Sequence, residues 1–539
     1  MASAAAPSDG QVDLLVIGGG ITGAAVARDA VMRGLSVMLV EQGDFAGGTS
    51  SRTSKLIHGG LRYLEHGYLH LVFEACRERA ILLRSAPHLV RPLDFLIPIF
   101  ADDSRSFLTI RAGLALYDLL AIGRVVRPHR MLSAEEVSTR EPKLLREGLV
   151  GGALYTDCQM QDARLCVEIM LDAERHGAIC RNGVQVERII VEGGRAAGVV
   201  VTDERSGVSE MVAARAVVNA TGPWADRLLQ QVTHAGGTRR LRPTKGSHLV
   251  LPNRIGEGAL LLSARQDGRV VFVMPWHGQM LVGTTETPVD EVPQDVRTET
   301  QEVRYLLDEV NRVFVGDPLT EEDVLATFAG LRPLVDHGGA NASAVSREHL
   351  IVEEPMGCLH ALGGKYTTHR AIAEAVVDRV MRRLRRRDPG CRTATTSLWG
   401  LDDAPEAYAE RVARNSGTAG EIPVDPLRHL AVTYGIRHRD IVALTRQDSS
   451  LGRPLCAHHP HIGAELLYAF QREHARCLTD FMFRRTAIAY SACHGVDGLE
   501  TVRSVLVRHL GMSEEVAQRE LMVYQTMLAD SLAWRNQVP

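Results

Sequence analysis

The sequence predicts an α/β plus α+β fold with an all-helical C-terminal domain, and three observations carry this prediction. The chain begins with a strand, a helix and a second strand, at residues 12–17, 21–33 and 36–40. Further strand signals cluster in the middle of the chain, at 198–202, 216–220, 247–251, 270–274 and 280–284. From about residue 405 onward the apolar residues recur at helical spacing and few strand signals remain.

The early alternation of strand and helix favours a doubly wound domain, and the clustered strands favour a second domain built on a largely antiparallel sheet. We expect the doubly wound domain to be discontinuous, at 1–95, 151–240 and 346–390. The substrate-binding domain is then expected at 96–150 and 241–345, and the helical cap at 400–539. The clearest helices are predicted at 162–176, 301–313, 372–387, 463–490 and 498–509.

Composition excludes several classes of protein. A formal net charge of −4 over 539 residues gives no basic field for nucleic acid. The nine cysteines are scattered and include no CxxC pair, which indicates reduced thiols in a cytosolic setting. The leader, residues 1–10, lacks the basic start and apolar stretch of a secretory signal, and no run approaches the roughly 18 apolar residues of a membrane span. We therefore expect a cytoplasmic protein that can lie on a membrane without crossing it.

A glycine motif stands between the first strand and the first helix. In VIGGGITG, Gly18, Gly20 and Gly23 have the GxGxxG spacing of a Rossmann-type dinucleotide-binding unit. Gly18 permits the tight turn, Gly20 lets the backbone approach a pyrophosphate, and Gly23 allows the helix to pack close to the strand. Glu41 ends the second strand, where its carboxylate can accept hydrogen bonds from a ribose and would repel a 2′-phosphate.

The motif alone does not separate FAD from NAD, but two observations favour FAD. No second GxGxxG follows a strand elsewhere, so a flavin enzyme that also used a nicotinamide would lack a second nucleotide site. In addition, the strand at 216–220 runs into a glycine turn, TGPW, where a bound nucleotide could pass close to the backbone. Gly222 and Trp224 in this turn are therefore candidate cofactor contacts.

Six longer motifs carry a resemblance to a known family. They are DLLVIGGGITGAAVARDA, GTSSRTSKLIHGGLRYLEHG, VNATGPW, KGSHLVLP, FAGLRPL and GGKYTTHR, in this order. Across residues 12–486 the chain resembles the FAD-dependent, aerobic and quinone-linked glycerol-3-phosphate dehydrogenases. The resemblance implies oxidation of sn-glycerol 3-phosphate to dihydroxyacetone phosphate, with hydride transfer to FAD and electrons passed to a membrane quinone.

The resemblance also implies where the flavin lies. The second motif matches the family's flavin-proximal loop, and the two glycines after His58 leave room for a stacked ring. We expect FAD to be held without a covalent bond to this histidine. The implied cofactor contacts are Thr49, Ser50, Ser51, Ser54, Lys55, His58, Gly59, Gly60, Gly363, Gly364 and Thr367.

Cations are expected to recognise the substrate, because an arginine can grip a phosphate dianion through two hydrogen bonds. By resemblance the substrate-binding positions are Arg62, Tyr63, Arg332 and Lys365. His248 resembles the family position beside the substrate hydroxyl, where a neutral imidazole suits a general base. Lys365 is the second candidate for the base, and Arg332 could also polarise the developing ketone, so these three residues form the expected catalytic set.

Other functions stay open at this point. An oxidase would share the first half-reaction and give its electrons to dioxygen, making hydrogen peroxide, and nothing in the residues decides between the two acceptors. An amino-acid oxidase would have no substrate phosphate for these cations to bind. A non-catalytic flavin-binding sensor would need no catalytic base. A homodimer is also open.

Two local signals each allow more than one interpretation. Cys456, His458, His459 and His461 form a CAHHPH stretch whose spacing matches no zinc template, so we expect an exposed loop and no bound metal. Residues 106–130 combine an apolar face with basic flanks, a pattern that suits an anionic bilayer surface but also suits core packing. If the segment faces lipid, the protein attaches peripherally to the inner face of the cell membrane.

Overall fold

The computed structural model describes residues 10–233, 240–290, 292, 295–336, 349–398, 404–414 and 422–537. Residues 1–9 of the predicted leader lie outside this range. The strands are β1 (Gln11–Ile17), β2 (Val37–Glu41), β3 (Leu56–Ile57), β4 (Val90–Phe100), β5 (Arg130–Ser133), β6 (Leu149–Met160), β7 (Ile179–Asn182), β8 (Val184–Glu192), β9 (Arg195–Asp203), β10 (Ser209–Asn219), β11 (Thr244–Pro252), β12 (Ala259–Ser263), β13 (Val270–Trp276), β14 (Gln279–Gly283), β15 (Thr287–Pro288), β16 (Ala326–Arg332), β17 (His349–Glu353) and β18 (Cys358–Gly363). The α-helices are α1 (Ile21–Met32), α2 (Leu69–Ser85), α3 (Phe107–Leu120), α4 (Ala134–Arg140), α5 (Asp162–Arg175), α6 (Ala225–Thr233), α7 (Thr300–Asn311), α8 (His369–Leu384), α9 (Pro405–Arg414), α10 (Val424–Tyr434), α11 (His438–Thr445), α12 (Gly463–Arg472), α13 (Leu478–Asp480), α14 (Leu499–Arg508) and α15 (Glu514–Ser531).

The first sheet has eight strands and forms the doubly wound domain. Its parallel strands run in the order β7-β2-β1-β10-β18, with β17 antiparallel at one edge and β9 and β8 extending from β10. All of β1 after its first residue is buried, as expected for a parallel strand covered on both faces. Helices α1, α5 and α8 share one apolar core with β1 and β2. The predicted Rossmann-type architecture is confirmed.

The second sheet has ten strands and is antiparallel except where β12 pairs with β4. Its main path is β15-β11-β14-β13-β12-β4-β6-β3, with β16 beside β11 and β5 beside β6. Leu249 and Leu251 of β11 pack with α7, whereas Val250 packs with α2 and α3 on the opposite face. The alternation places His248 on the same face as Val250.

Two predicted domain boundaries fall inside strands of the second sheet. The boundary at 95/96 cuts β4, and the boundary at 150/151 cuts β6. These two strands pair along their whole length, from Val90 opposite Met160 to Phe100 opposite Leu149, and β6 also pairs with β3. Because continuous backbone hydrogen bonding keeps each strand in one sheet, both strands belong wholly to the antiparallel domain.

The described residues after 404 form helices and no strand, as the sequence predicts for the cap. The predicted helices at 162–176, 301–313, 372–387 and 498–509 correspond to α5, α7, α8 and α14. The single helix predicted at 463–490 is wrong, because α12 ends at Arg472 and α13 begins only at Leu478. His474 adopts a left-handed φ of 57°, and the N–H of Ala475 turns back to Ala469 O at 3.0 Å, which closes α12.

A buried network of charges joins α5 to the cap. Arg164 Nη1 donates to Glu473 Oε2 at 2.7 Å, and its Nε donates to Glu168 Oε1 at 3.1 Å. Arg437 Nη1 donates to Glu473 Oε1 at 3.2 Å from the cap side. The four side chains are at most 3% exposed, so removal of one carboxylate would leave buried positive charge uncompensated.

We therefore expect Glu473→Ala to lower the free energy of unfolding by about 3–5 kcal/mol. Urea denaturation followed by circular dichroism measures the change. Glu500→Ala is the control, because the side chain of Glu500, which pairs with Arg503, is 77% exposed. The urea midpoint of this variant should stay at the wild-type value. Equal midpoints for the two variants would contradict a stabilising role for the network.

Candidate functional site

A cavity of about 1350 Å³ opens between the two sheets. Ligand pockets commonly hold about 300–1000 Å³, so this one has room for an extended ligand and a small second molecule. The turn after β1 and the loop after β2 line it, together with β11, β16 and α3. The predicted site residues that line it are Gly18, Gly20, Glu41, Thr49, Ser50, Ser54, His58, Gly60, Arg62, Tyr63, Gly222, Trp224, His248, Arg332, Gly363, Gly364, Lys365 and Thr367.

The glycine turn after β1 is packed too closely for side chains. Gly18 has a φ of +107°, and a Cβ there would lie 2.7 Å from Ala220 O at the end of β10. A Cβ on Gly23 would lie 1.9 Å from Gly18 O. Gly20 is the N-cap residue of α1, so the positive end of the helix dipole lies at the cavity wall. This turn offers an anion backbone N–H groups with no side chain in the way.

Glu41 is held at the end of β2 by two backbone N–H groups. Gly19 donates to Oε2 at 2.7 Å, and Gly43 donates to Oε1 at 2.9 Å. Burial raises the pKa of Glu41, and these two hydrogen bonds oppose the rise. Each carboxylate oxygen retains a lone pair, which a ribose hydroxyl can use.

The hydroxyl side chains after β2 tie the first sheet to the second. Ser50 Oγ accepts the N–H of Ile21 at 2.9 Å and so caps α1. Thr49 Oγ1 donates to Leu331 O of β16 at 2.7 Å. Ser54 Oγ lies 2.9 Å from His248 Nε2. The cavity wall at the glycine turn and the wall at β11 and β16 are therefore fixed relative to each other through one loop.

Four of the expected cofactor contacts do not line the cavity, and they are Gly23, Ser51, Lys55 and Gly59. Lys55 Nζ lies 2.8 Å from both carboxylate oxygens of Asp162 and donates to Ser51 O at 2.6 Å. This ion pair is buried and occupies the ammonium, so Lys55 has a structural role. Gly59 faces away from the cavity, where a Cβ would lie 2.1 Å from Tyr117 Oη.

The far side of the flavin-proximal loop contacts the turn that follows β18. The backbone N–H of His58 donates to Thr367 Oγ1 in this turn at 3.2 Å. Gly363 and Gly364 have φ values of +70° and +90°. Gly60 has a φ of +80°, and a Cβ there would lie 2.2 Å from the ring of Tyr63. The backbone at these glycines therefore forms part of the wall, beside the side chains of Tyr63 and Thr367.

His248 lies in β11 between two neighbouring strands and is 2% exposed. Its ring stacks on Phe328 of β16 with the centroids 4.8 Å apart. On the other side, a Cβ on Gly283 of β14 would lie 2.2 Å from His248 Cδ2, so only glycine fits. Burial lowers the pKa of His248 well below its usual value, and the charges of Arg332 and Lys55 lower it further. The imidazole is therefore neutral at neutral pH.

Arg332 ends β16 on the same wall of the cavity. Its Nη2 donates to Thr284 Oγ1 at 2.9 Å and to Thr285 O at 3.2 Å. A Cβ on Gly246 of β11 would lie 2.4 Å from this nitrogen, so the guanidinium lies across a glycine. The sheet thus fixes the orientation of a planar cation that can hydrogen bond an oxyanion.

Lys365 supplies a second cation from the other side of the cavity. It follows β18, and its Nζ lies 3.5 Å from the centroid of the Tyr63 ring, a cation–π contact. Tyr63 is itself buried, and Arg62 beside it also lines the cavity. The predicted substrate residues are therefore brought to one cavity from separate elements.

The cavity wall also contains arginines that the sequence did not single out as site residues, among them Arg269 and Arg105. Arg269 precedes β13, and its Nη1 donates to Glu286 O at 2.8 Å. Arg105 precedes α3, where it donates to Glu65 Oε1 at 2.5 Å and to Ser263 Oγ at 2.6 Å. Neither lies in one of the six motifs, and only the basic flank of the 106–130 segment pointed towards Arg105.

These residues fit FAD. The glycine turn, the N-terminus of α1 and Glu41 provide for a pyrophosphate and a ribose. The same cavity extends past Ser54 to His248 and Arg332, which leaves room for a flavin and a small substrate.

Comparison with known proteins identifies the family. A family model described as FAD dependent oxidoreductase matches residues 13–379, and one described as the C-terminal domain of alpha-glycerophosphate oxidase matches residues 391–517. A glycerol-3-phosphate dehydrogenase from Synechocystis sp. is 37% identical over 95% of this chain and 95% of its own. The aerobic glycerol-3-phosphate dehydrogenase of Staphylococcus saprophyticus is 34% identical over 96% of this chain and 94% of its own.

Solved structures agree with the sequence relatives. The glycerol-3-phosphate dehydrogenase from Bacillus halodurans, complexed with FAD, matches with a TM-score of 0.81 at 30% identity over 100% of both chains. The L-alpha-glycerophosphate oxidase from Mycoplasma pneumoniae, with FAD bound, shares the fold with a TM-score of 0.55 at 19% identity, over 72% of this chain and 100% of that one. The chain therefore belongs to the FAD-dependent oxidoreductases, in the family of the glycerol-3-phosphate dehydrogenases.

Proposed function

We propose that this chain oxidises sn-glycerol 3-phosphate to dihydroxyacetone phosphate and passes the electrons to a membrane quinone. The observation that carries the proposal is a buried, neutral imidazole, His248, on the same cavity wall as a fixed guanidinium, Arg332. A secondary alcohol that carries a phosphate needs both groups, because its O–H proton must leave and its negative charge must be matched. The names of the similar proteins support the substrate.

Different cations are assigned to different parts of the substrate. Lys365 contacts the ring of Tyr63, and Arg62 lines the cavity next to Tyr63. We assign these two cations to the substrate phosphate. Arg332 is assigned to the C2 oxygen, because its Nη2 donates to Thr284 Oγ1, and Thr284 adjoins Gly283, against which the imidazole of His248 packs. FAD, when bound, supplies the two-electron oxidant. The cofactor contacts proposed for it are those predicted residues that line the cavity at the glycine turn, Glu41 and the flavin-proximal loop.

The hydroxyl proton is assigned to His248 Nε2. This nitrogen already lies 2.9 Å from Ser54 Oγ, and both residues line the cavity, whereas Nδ1 is buried with no hydrogen-bond partner among the described residues. Protonation creates an imidazolium beside Arg332, which is costly in the protein alone. The dianionic phosphate of the substrate offsets that charge, so the base works best with substrate in place. Lys365 is the alternative base.

Helix α3 connects the cavity to the protein surface. Leu108 and Leu119 on this helix are 70% and 60% exposed, and Ile122 beyond it is 68% exposed. Arg111 and Arg127 are exposed nearby. Ile110 and Leu116 of the same helix line the cavity. An apolar helix with basic neighbours suits an anionic bilayer, and its contact with the cavity would bring a lipid-dissolved acceptor close to the site.

No helix in the described part of the chain is long and apolar enough to span a bilayer. We accordingly propose peripheral attachment through α3 at the cytoplasmic face of the cell membrane. The competing function is an oxidase that reduces dioxygen, which is favoured by the description of the C-terminal family model.

Arg332→Ala and Arg332→Lys should each lower kcat/KM by about a hundredfold, or roughly 3 kcal/mol, without loss of FAD. Lysine retains the charge but not the planar fork. The measurement is anaerobic bleaching of the flavin by sn-glycerol 3-phosphate at equal FAD occupancy, followed by recolouring with a quinone or with air. Arg304→Ala, an exposed arginine paired with Glu321, is the control.

Absence of bleaching in the wild type would end the proposed function. Bleaching at the wild-type rate in Arg332→Ala would contradict the proposed role of Arg332 in substrate binding. A joint loss of FAD and of thermal stability would instead indicate a structural role for this arginine. Recolouring by air with stoichiometric peroxide, faster than by quinone, would identify the oxidase.

Replacing Leu108 and Leu119 together by Asp should weaken sedimentation with anionic lipid vesicles on the order of a hundredfold, because two large apolar side chains no longer enter the bilayer. Activity with a soluble electron acceptor should be retained. The matched control replaces two other exposed apolar residues by Asp: Val208, just before β10, which is 63% exposed, and Met211, in β10, which is 61% exposed. Equal vesicle binding by the two double variants would contradict attachment through α3.

A further inference from the structure

The CAHHPH stretch, expected to be an exposed loop, is partly buried in the helical cap. Cys456 is 6% and His461 is 9% exposed, while His458 is exposed. The stretch contacts a second loop, which runs from Ser491 to Gly498 after α13. A Cβ on Gly498 would lie 2.1 Å from Leu455 O, and Ala457 N donates to Asp497 Oδ2 at 3.1 Å. The two loops are therefore held in close contact.

Three potential metal ligands meet where these loops touch. The ligand atoms of Cys456, His459 and Cys493 all lie within 4.8 Å of one another. His459 Nε2 is 3.3 Å from Cys493 Sγ. A tetrahedral zinc ion with ordinary Zn–S and Zn–N bonds holds its ligand atoms about 3.3–3.8 Å apart. The distance between His459 Nε2 and Cys493 Sγ is therefore close to the spacing that zinc requires, and Cys456 Sγ lies within 4.8 Å of both atoms.

A backbone N–H group faces one of the two sulfur atoms. Gly495 N donates to Cys493 Sγ at 3.3 Å. Such a donor stabilises a thiolate more than a neutral thiol, and N–H groups of this kind are the usual surroundings of a metal-bound sulfur.

The neighbouring trio of His429, His461 and Glu465 does not require a metal. Glu465 Oε1 lies 2.9 Å from His429 Nε2 and 3.1 Å from His461 Nδ1, and it accepts from Tyr434 Oη at 3.0 Å. Glu465 Oε2 accepts the N–H of Ile462 at 2.8 Å. Hydrogen bonds within the protein therefore account for this carboxylate.

We propose that Cys456, His459 and Cys493 bind one zinc ion, with water as the fourth ligand. Two thiolates and an imidazole are ligands that Zn²⁺ prefers, and the thiolates balance its charge. Each thiol releases its proton to solvent as its Zn–S bond forms, and no electrons are transferred. The ion links the loop before α12 to the loop after α13, independently of the reaction in the cavity.

The test is the zinc content of the FAD-loaded, full-length protein, purified under reducing conditions, incubated with zinc sulfate and dialysed. Mass spectrometry of the metal should find about one zinc per chain in the wild type. Cys456→Ser and Cys493→Ser should each retain at least about tenfold less. Cys477→Ser, a half-buried cysteine of the same cap, and His429→Gln should retain the wild-type amount.

Flavin content and circular dichroism show whether each variant is folded. If the serine variants fail to fold, titration of wild-type thiols with a mercurial in the presence of a chromogenic chelator should release the zinc. Wild-type protein that retains less than about a tenth of a zinc per chain would overturn the proposal. So would zinc that is lost from His429→Gln but kept in Cys456→Ser, or a Cys456–Cys493 disulfide in the reduced preparation.

Discussion

The register of three antiparallel strands, β14, β11 and β16, is the constraint on which the site depends. His248 lies opposite Gly283 on one side and Phe328 on the other, and Thr244 lies opposite Arg332. The imidazole occupies the space above one glycine, and the Arg332 guanidinium occupies the space above Gly246. A slip of one residue would turn His248 towards α7 and remove it from the cavity.

The loop after β2 connects these strands to the part of the cavity at the glycine turn. Thr49 bonds to β16, Ser50 caps α1, and a Cβ on Gly330 of β16 would lie 2.7 Å from Arg52 O. The same loop therefore contacts both the strand that carries Arg332 and the helix whose N-terminus lies at the glycine turn. One loop therefore fixes both the residues proposed to bind the substrate and those proposed to bind the cofactor.

Sequence patterns predicted those parts of the fold that depend on residues close together in the chain. The glycine turn, Glu41 and the first strand, helix and strand follow from spacing and periodicity, and long motifs carried the family. Lys55 shows the limit, because its partner Asp162 is distant in sequence and nothing in the motif reveals that the ammonium is already paired. Arg269 was missed for the same reason, since only the pairing of distant strands brings it to the cavity.

The boundaries of domains and helices were less predictable. Strands β4 and β6 cross the expected domain boundaries, because hydrogen bonds between distant segments decide to which sheet a strand belongs. The break after α12 depends on a left-handed histidine, a conformation that side-chain periodicity does not report.

The proposed transfer of the hydroxyl proton to His248 is tested most directly by the limiting rate of anaerobic flavin reduction in His248→Asn. Asparagine keeps a polar group of similar size but cannot act as a base near neutral pH. We expect a loss of about 10²–10⁴-fold in the limiting rate at saturating sn-glycerol 3-phosphate, with FAD content and substrate affinity largely retained. A limiting rate equal to that of the wild type would contradict it.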